Sequence, residues 1–398
     1  MKIFYDKKDC CGCTACKNIC PTHAINMRTD KEGFFYPDIN EDLCIGCNLC
    51  IDVCPMKNEV MIQEHFEIPE VYAVKHVSDS VRMSSSSGGA YTAISDFVIE
   101  DKNGICYGAA FDEEFNVKHK EAINTSERNK FRGSKYVQSD LGNVFYQIKQ
   151  NLISEKLVLF TGTPCQTAGL ANYLKLSKVD VSNLILNDII CHGTPSPKIW
   201  KDYINFIEEK NKSKIKNYTF RFKEKGWRGY NIKVEFENNY VKVNTKDILK
   251  YVKLFNSNLI LRPSCYHCKF SNLNRSADLT IGDFWGIEKS IPEFEDTKGV
   301  SLVLVNTKRG KDIFEQIKNN FIYKQSNTAD CMQLNLYQPT PEPKNRIKFW
   351  EDYWSKGFKF ITKNYARDKL SRRIKSLIKK LLQQLGLLTK IKQVLARL

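Results

Sequence analysis

Two stretches of the chain repeat one plan of apolar and polar positions. "KLVLFTGTPCQTAGLANYL" opens with a short apolar run, Leu157–Phe160, passes through the turn "TGTPCQ" and continues with helical spacing. "NLILNDIICHGTPSPKIWKDYINFIEEK" follows the same order: apolar run, "CHGTPSP", helix. Unbroken apolar runs suit strands covered on both faces, so the pair predicts βα units in a parallel sheet. Pro164 and Pro195 stand where turns lead into helices. Elsewhere the period is two: "GICYGAAFDEEFNVKHKEAI" alternates on either side of "DEEFN" and predicts a β-hairpin. "AVKHVSD" and "ADLTIGDF" predict short strands. "RMSSSSGGAYTAISDFVIE" predicts a serine-glycine loop entering an amphipathic helix, and "FRGSKYVQS" a Gly-Ser-Lys turn. From Leu370 to Leu398 an apolar stripe faces a basic one, which predicts an amphipathic helix weakened at Gly386.

A chain of 398 residues is long enough for two or three domains. No stretch approaches the ~18 uncharged apolar residues of a membrane span. The start, "MKIFYDKKDCCGC", lacks the apolar run of a secretory signal. Fifteen cysteines without an export signal point to a reducing compartment, so a cytoplasmic location and metal-bound thiolates are expected. The net charge is +16, but from Arg367 to Arg397 ten Lys and Arg face one acidic residue, Asp368, and supply nine of those charges. The rest is only mildly basic, so no nucleic-acid partner is expected. The basic amphipathic end reads as a helix resting on the inner face of a membrane or docking on a partner; a helix folded back on the body is the alternative.

The cysteines change the picture most. Cys10, Cys13, Cys16 and Cys20 follow C-x2-C-x2-C-x3-C-P, closed by Pro21, and Cys44, Cys47, Cys50 and Cys54 repeat the spacing, closed by Pro55. In such a motif three thiolates wrap one cubane and the fourth reaches the other. One 4Fe–4S cluster should therefore use Cys10, Cys13, Cys16 and Cys54, and the other Cys44, Cys47, Cys50 and Cys20. Zinc knuckles would use paired C-x2-C hooks instead of four cysteines ended by proline. Between the motifs, "THAINMRTDKEGFFYPDIN" predicts a hairpin turning near Lys31–Gly33. Two such clusters form a one-electron wire, which implies a terminus elsewhere.

Seven thiols remain. Cys11 breaks no spacing and reads as spare, and Cys106 and Cys331 have no partner spacing either. Cys165 and Cys191 lie just past the ends of the two predicted parallel strands, the edge where α/β proteins bind ligands. Cys265 and Cys268 form a C-x2-C hook. These four match the number a further cubane needs; two structural cysteines plus a redox hook is the other reading, and spacing does not choose. His192 and His267 beside these thiols read as packing or hydrogen-bonding residues. The serine-glycine turn is either a phosphate seat or an ordinary helix cap.

Taken together, the double ferredoxin motif, "SSSSGGAYTAI", "FRGSKYVQS", "GTPCQTAGL", "DIICHGTPSP", "CYHCKF" and "IGDFWGIEK" resemble the coenzyme F420 hydrogenase/dehydrogenase beta-subunit family. The resemblance runs from residue 1 to about 310, with the ferredoxin fused to the body. It implies an α+β or α/β chain: a bacterial-type two-cluster ferredoxin domain (1–62), a mixed-sheet flavin-binding oxidoreductase body in two parts (70–155 and 156–325), and a C-terminal extension with the basic helix (326–398). It further implies FAD served by Ser86, Ser87, Gly88, Gly89 and Thr92 and by Gly133, Ser134 and Lys135, and a third 4Fe–4S cluster on Cys165, Cys191, Cys265 and Cys268. The expected function is an iron–sulfur flavoprotein oxidoreductase that passes electrons between a hydride carrier, coenzyme F420 or a substitute, and the clusters, with a redox partner protein or ferredoxin at the far end. The alternative is an electron-transfer module feeding a separate catalytic partner, in the polysaccharide-biosynthesis setting where some members occur. No residue identifies a catalytic group.

Overall fold

In the computed structural model, residues 3–58, 64–224 and 226–367 are described; the expected basic helix of residues 370–398 lies outside them. The two cysteine motifs fold as near copies. Gly12 and Gly46 take the left-handed backbone (φ 74° and 70°), and so do Thr14 and Asn48 (63° and 62°), which cap the short helices α1 (Ala15–Ile19) and α2 (Leu49–Asp52). A left-handed residue on each side of the second cysteine reverses the chain twice, and glycine takes that conformation without steric penalty. Between the copies, β1 (Ile25–Thr29) and β2 (Phe35–Ile39) pair antiparallel. Their turn is closed by the Asp30 carboxylate, which accepts the N–H groups of Glu32 (3.0 Å) and Phe34 (2.9 Å).

The body is built on one eight-stranded mixed sheet. In chain order it comprises β3 (His65–His76), α3 (Ala90–Asp96, continued by a π-helical turn at Phe97–Asp101), β4 (Ile105–Phe111), β5 (Val117–Ala122), β6 (Val158–Gly162), α4 (Pro164–Leu176), β7 (Leu184–Ile189) and α5 (Pro197–Asn211). A small antiparallel sheet follows: β8 (Ile215–Thr219), β9 (Lys233–Phe236) and β10 (Val241–Val243). Then come β11 (Leu279–Asp283), β12 (Ser301–Thr307), α6 (Lys308–Ile317), β13 (Phe321–Ser326) and α7 (Arg346–Asn364). The large sheet runs β13-β3-β12-β11-β7-β6-β4-β5. β4, β6, β7 and β11 are mutually parallel at its centre, and the flanking pairs are antiparallel. Both expected βα units are present, as is the hairpin β4–β5. The sheet takes strands from both sides of residue 155.

The turn chemistry read in the sequence works as local physics demands. At the start of α4 the Thr163 N–H donates to the Gln166 side chain at 2.9 Å and Pro164 occupies the first helical position. At the start of α5 the Ser196 hydroxyl accepts from the Ile199 N–H at 3.2 Å and Pro197 takes that position; Pro195, two residues earlier, bridges to Leu261.

The ferredoxin half is packed into the body. Cys13, Cys16, Cys50 and Val53 share an apolar cluster with Phe145, Phe160, Leu170 and Leu174. The approach is closest at Gly169 on α4, where an added Cβ would lie 2.8 Å from the Cys13 sulfur. Asn172 on the same helix donates to the Val53 carbonyl at 3.2 Å. Among the described residues no helix is long and apolar enough to cross a membrane.

Candidate functional site

The ferredoxin cysteines divide between two cavities in the crosswise way the spacing predicts. One is lined by Cys10, Cys13, Cys16 and Cys54; the other by Cys20, Cys44, Cys47 and Cys50. The swap follows from α1 and α2, each of which carries its last cysteine away from its own loop and toward the other's. Cys11, read as spare, also lines the first cavity and hydrogen-bonds both Cys13 and Cys165, so it bridges two thiol groups. The second cavity faces outward: Cys47 is exposed, and beside it Leu43 and Ile45 are 49% and 67% exposed.

Cys165, Cys191, Cys265 and Cys268 come together although up to 103 positions separate them, at the ends of β6 and β7 and in the Pro263–His267 turn. Burial and the charges of the other three push the Cys191 thiol well above its ordinary range, and Cys165 is pushed the same way by its hydrogen bond to Cys11 and by burial. Thiols so crowded ionise together only when a cationic centre takes up the charge. Donors surround the sulfurs: the Thr194 N–H and hydroxyl lie 3.3 and 3.5 Å from Cys265, and the Thr163 hydroxyl 3.3 Å from Cys165. Toward the ferredoxin, Cys165, Cys268, Cys54 and Cys11 pack around Met56, Ala168 and Phe270. His192 hydrogen-bonds Asn258 at 2.8 Å and meets Phe255 edge-on, a packing role. Cys106 and Cys331 are buried in the core.

On the other side of this group a cleft opens along the carboxyl ends of β6, β7 and β11, enclosing about 1310 Å³ of empty space, part of it open to solvent. Six of the eight residues expected to serve a flavin line it: Ser86, Ser87, Gly89, Gly133, Ser134 and Lys135. The two turns touch, the Ser86 hydroxyl accepting from the Ser134 N–H at 2.8 Å. Gly88 and Thr92 stand behind the wall: the Gly88 N–H donates to Ser301 at 2.7 Å, and Thr92 is fully buried in α3. Lys135 reaches back to the carbonyls of Lys130 (2.7 Å) and Arg132 (2.9 Å), and burial pushes its pKa down to about 7. Arg221 and Asp283, paired at 2.7 Å, close the opposite side.

The lining fits a large polyhydroxylated cofactor. Gly133 (φ 79°) has open space where a side chain would stand. The buried His119 Nδ1, Tyr91 hydroxyl and Asp283 Oδ1 have no hydrogen-bond partner within the chain, and buried polar atoms are rarely left so unless a ligand or water meets them. Thr163 and Thr194 line the cleft and also touch Cys165 and Cys265, so cleft and thiol group share a wall. None of His119, Tyr91, Arg221 and Asp283 carried a local sequence signal.

His119 makes the site sensitive to acid. Burial lowers its pKa to about 4, although its Nε2 contact with the Thr161 carbonyl at 3.1 Å opposes the shift. A value below that of the unfolded chain means that the fold binds fewer protons, so stability is lost as pH falls from about 6.5 through 4, by up to roughly 3 kcal/mol for this residue. The urea midpoint of the wild type should fall more steeply between pH 7 and pH 5 than that of His119→Gln; parallel falls would refute the assignment.

Residues 155–330 match the family described as the C terminus of the beta subunit of coenzyme F420 hydrogenase/dehydrogenase, and residues 9–58 match the 4Fe-4S dicluster domain. No curated protein matches the chain. Among solved structures, a chain of the xenon-derivatised F420-reducing [NiFe] hydrogenase complex from Methanosarcina barkeri aligns at 18% identity and a TM-score of 0.45, covering 76% of this chain and 95% of that one.

Proposed function

This chain joins a 4Fe-4S dicluster domain to the C-terminal domain of an oxidoreductase family, that of the coenzyme F420 hydrogenase/dehydrogenase beta subunit, and from that premise we propose that it passes electrons between a hydride carrier bound in the cleft and a redox partner at the surface. The cleft would hold FAD, whose chemistry is the exchange of two-electron hydride transfer for one-electron transfer. Ser86, Ser134 and the Gly133 turn would seat its phosphates, and His119 and Tyr91 would meet its polar edges. Cys165, Cys191, Cys265 and Cys268 would carry a third 4Fe–4S cluster.

One observation carries this reading: the thiol groups are ordered without a break from cleft to surface. Thr163 and Thr194 join the cleft to the Cys165 group, Cys11 and Met56 join that group to the Cys10 cavity, and the Cys44 cavity opens outward. The carrier is a deazaflavin such as F420 or a similar hydride donor. The exposed Leu43 and Ile45 beside Cys44 and Cys47 suit docking of a separate redox protein, so delivery to a catalytic partner is the second reading.

Anaerobic purification tests both. The expected product contains about twelve irons, matched labile sulfide and one extractable flavin per chain. Reduction or bleaching of F420 then distinguishes the hydride-carrier reading from plain electron transfer between proteins. A preparation with zinc and no flavin would refute the proposal.

A further inference from the structure

Three arginines are almost wholly buried: Arg128, Arg262 and Arg275. Arg128 pairs with Asp96, and Arg275 lies 3.8 Å from Asp188. Arg262, at 0% exposure, forms no ion pair with a carboxylate among the described residues. Its donors go to neutral oxygens and one sulfur: the carbonyl of Cys10 (2.7 Å), the carbonyl of Phe35 (3.0 Å), the side-chain oxygen of Gln138 (3.3 Å) and the Cys10 sulfur (3.4 Å). The guanidinium plane rests 4.1 Å from the Tyr36 ring centre. These contacts satisfy its hydrogen bonds and leave its charge unbalanced. A buried cation without a counter-charge is strongly unfavourable, so the balancing negative charge has to come from the thiolate centre on Cys10.

The same residue is fixed to the neighbouring thiol group through its backbone. Its N–H donates to Thr194 at 3.0 Å and its carbonyl accepts the Cys265 N–H at 2.9 Å, while the Thr194 N–H points at the Cys265 sulfur. Among the described residues the other two centres have no comparable cation. The one hydrogen bond there to a sulfur of the Cys44 group is that between Cys20 and the Thr22 hydroxyl at 3.7 Å, and the Cys165 group has threonine donors. A fixed positive charge and an N–H···S contact favour the more negative, reduced state of a cluster.

We infer that Arg262 sets the reduction potential of the centre on Cys10, Cys13, Cys16 and Cys54, making it the most readily reduced of the three and the station where an electron rests between cleft and surface. The step is a one-electron reduction of that centre by the Cys165 group, reversed when the electron leaves through the Cys44 group to an external one-electron acceptor. Arg262 acts here as a positioning residue for charge. This rests on the iron–sulfur reading above.

The test is an anaerobic redox titration of the whole protein followed by EPR, with the Cys10 centre identified by the signal lost in Cys54→Ser. In the wild type that signal should develop first. In Arg262→Gln the ratio of reduced to oxidised centre, poised at the wild-type midpoint, should fall about tenfold, equivalent to 59 mV for one electron; Arg262→Lys should retain most of the wild-type ratio. Should the glutamine variant lose its iron, the wild-type order and the lysine variant still decide. A centre reduced after the other two, or a glutamine variant with full iron and an unchanged midpoint, overturns this inference alone. Protein devoid of iron and labile sulfide overturns the proposed function, and this inference with it.

Discussion

Cys54→Ser is expected to empty the site built by Cys10, Cys13 and Cys16, more than thirty positions away, and to leave the site of its own motif loaded. Cys20→Ser should do the reverse. The reason is the crosswise lining of the two cavities: each fourth cysteine rides a short helix, α1 or α2, to the opposite loop. Each variant should lose about four of about twelve irons, and the two should lose different EPR signals. Their kinetic consequences also differ. With the Cys10 site empty, the Cys165 group has no neighbour on the path outward, so delivery to an external acceptor should drop by at least a hundredfold while flavin content stays unchanged. If Cys54→Ser instead abolished the signal assigned to Cys44, Cys47 and Cys50, ligation would be local to each motif and the crosswise assignment would fail.

The second large effect concerns stability. Arg346, at the head of α7, holds the Glu32 carboxylate with both terminal nitrogens, one of them at 3.0 Å, and each side chain is only 9% exposed. The same guanidinium donates to the Leu261 carbonyl and the Tyr266 hydroxyl, both at 3.2 Å, on either side of the Arg262–Cys265 turn. One ion pair thus ties the β1–β2 turn, the third thiol group and the C-terminal helix together. Removing one partner leaves a buried charge alone, which typically costs about 3 to 5 kcal/mol. Glu32→Ala and Arg346→Met should each lower the urea midpoint by that equivalent, whereas Glu32→Leu combined with Arg346→Met should regain most of it, because both charges are then gone. A single variant losing under about 1 kcal/mol would show that the pair behaves as a solvated surface contact.

The parts of this architecture set by local chemistry were legible in the sequence. The ferredoxin spacing states its own ligand pattern, because a two-residue gap between cysteines leaves few backbone paths. The βα units announced themselves by apolar runs followed by Thr163–Pro164 and Ser196–Pro197 caps, each a short-range device. Cys165, Cys191, Cys265 and Cys268 could be singled out only by elimination and by family resemblance, since the contacts that unite them span the sheet. Arg262, Glu32, Arg346 and His119 could not be found at all. A lone arginine in "LRPSC" or glutamate in "DKEGF" looks like any solvated charge, and its meaning depends on burial created by residues hundreds of positions away. Cys11 was misread as spare for the same reason: its partner Cys165 lies on another element. Gly88 and Thr92 show the converse, a turn correctly located whose individual side chains face the wrong way.

The position of β3 has a consequence for biosynthesis. Residues 65–76 leave the ribosome early, yet both sheet neighbours, β12 and β13, lie beyond residue 300. Until those segments emerge, an apolar strand rich in valine and tyrosine has no hydrogen-bonding partner, a state that invites association with other chains. The amino-terminal duplicate has its hairpin and all eight of its own thiols within the first 58 residues, so nothing obliges metal insertion there to wait. Assembly is therefore staged by translation itself, the outward end of the conductor first and the cleft only when nearly the whole message has been read.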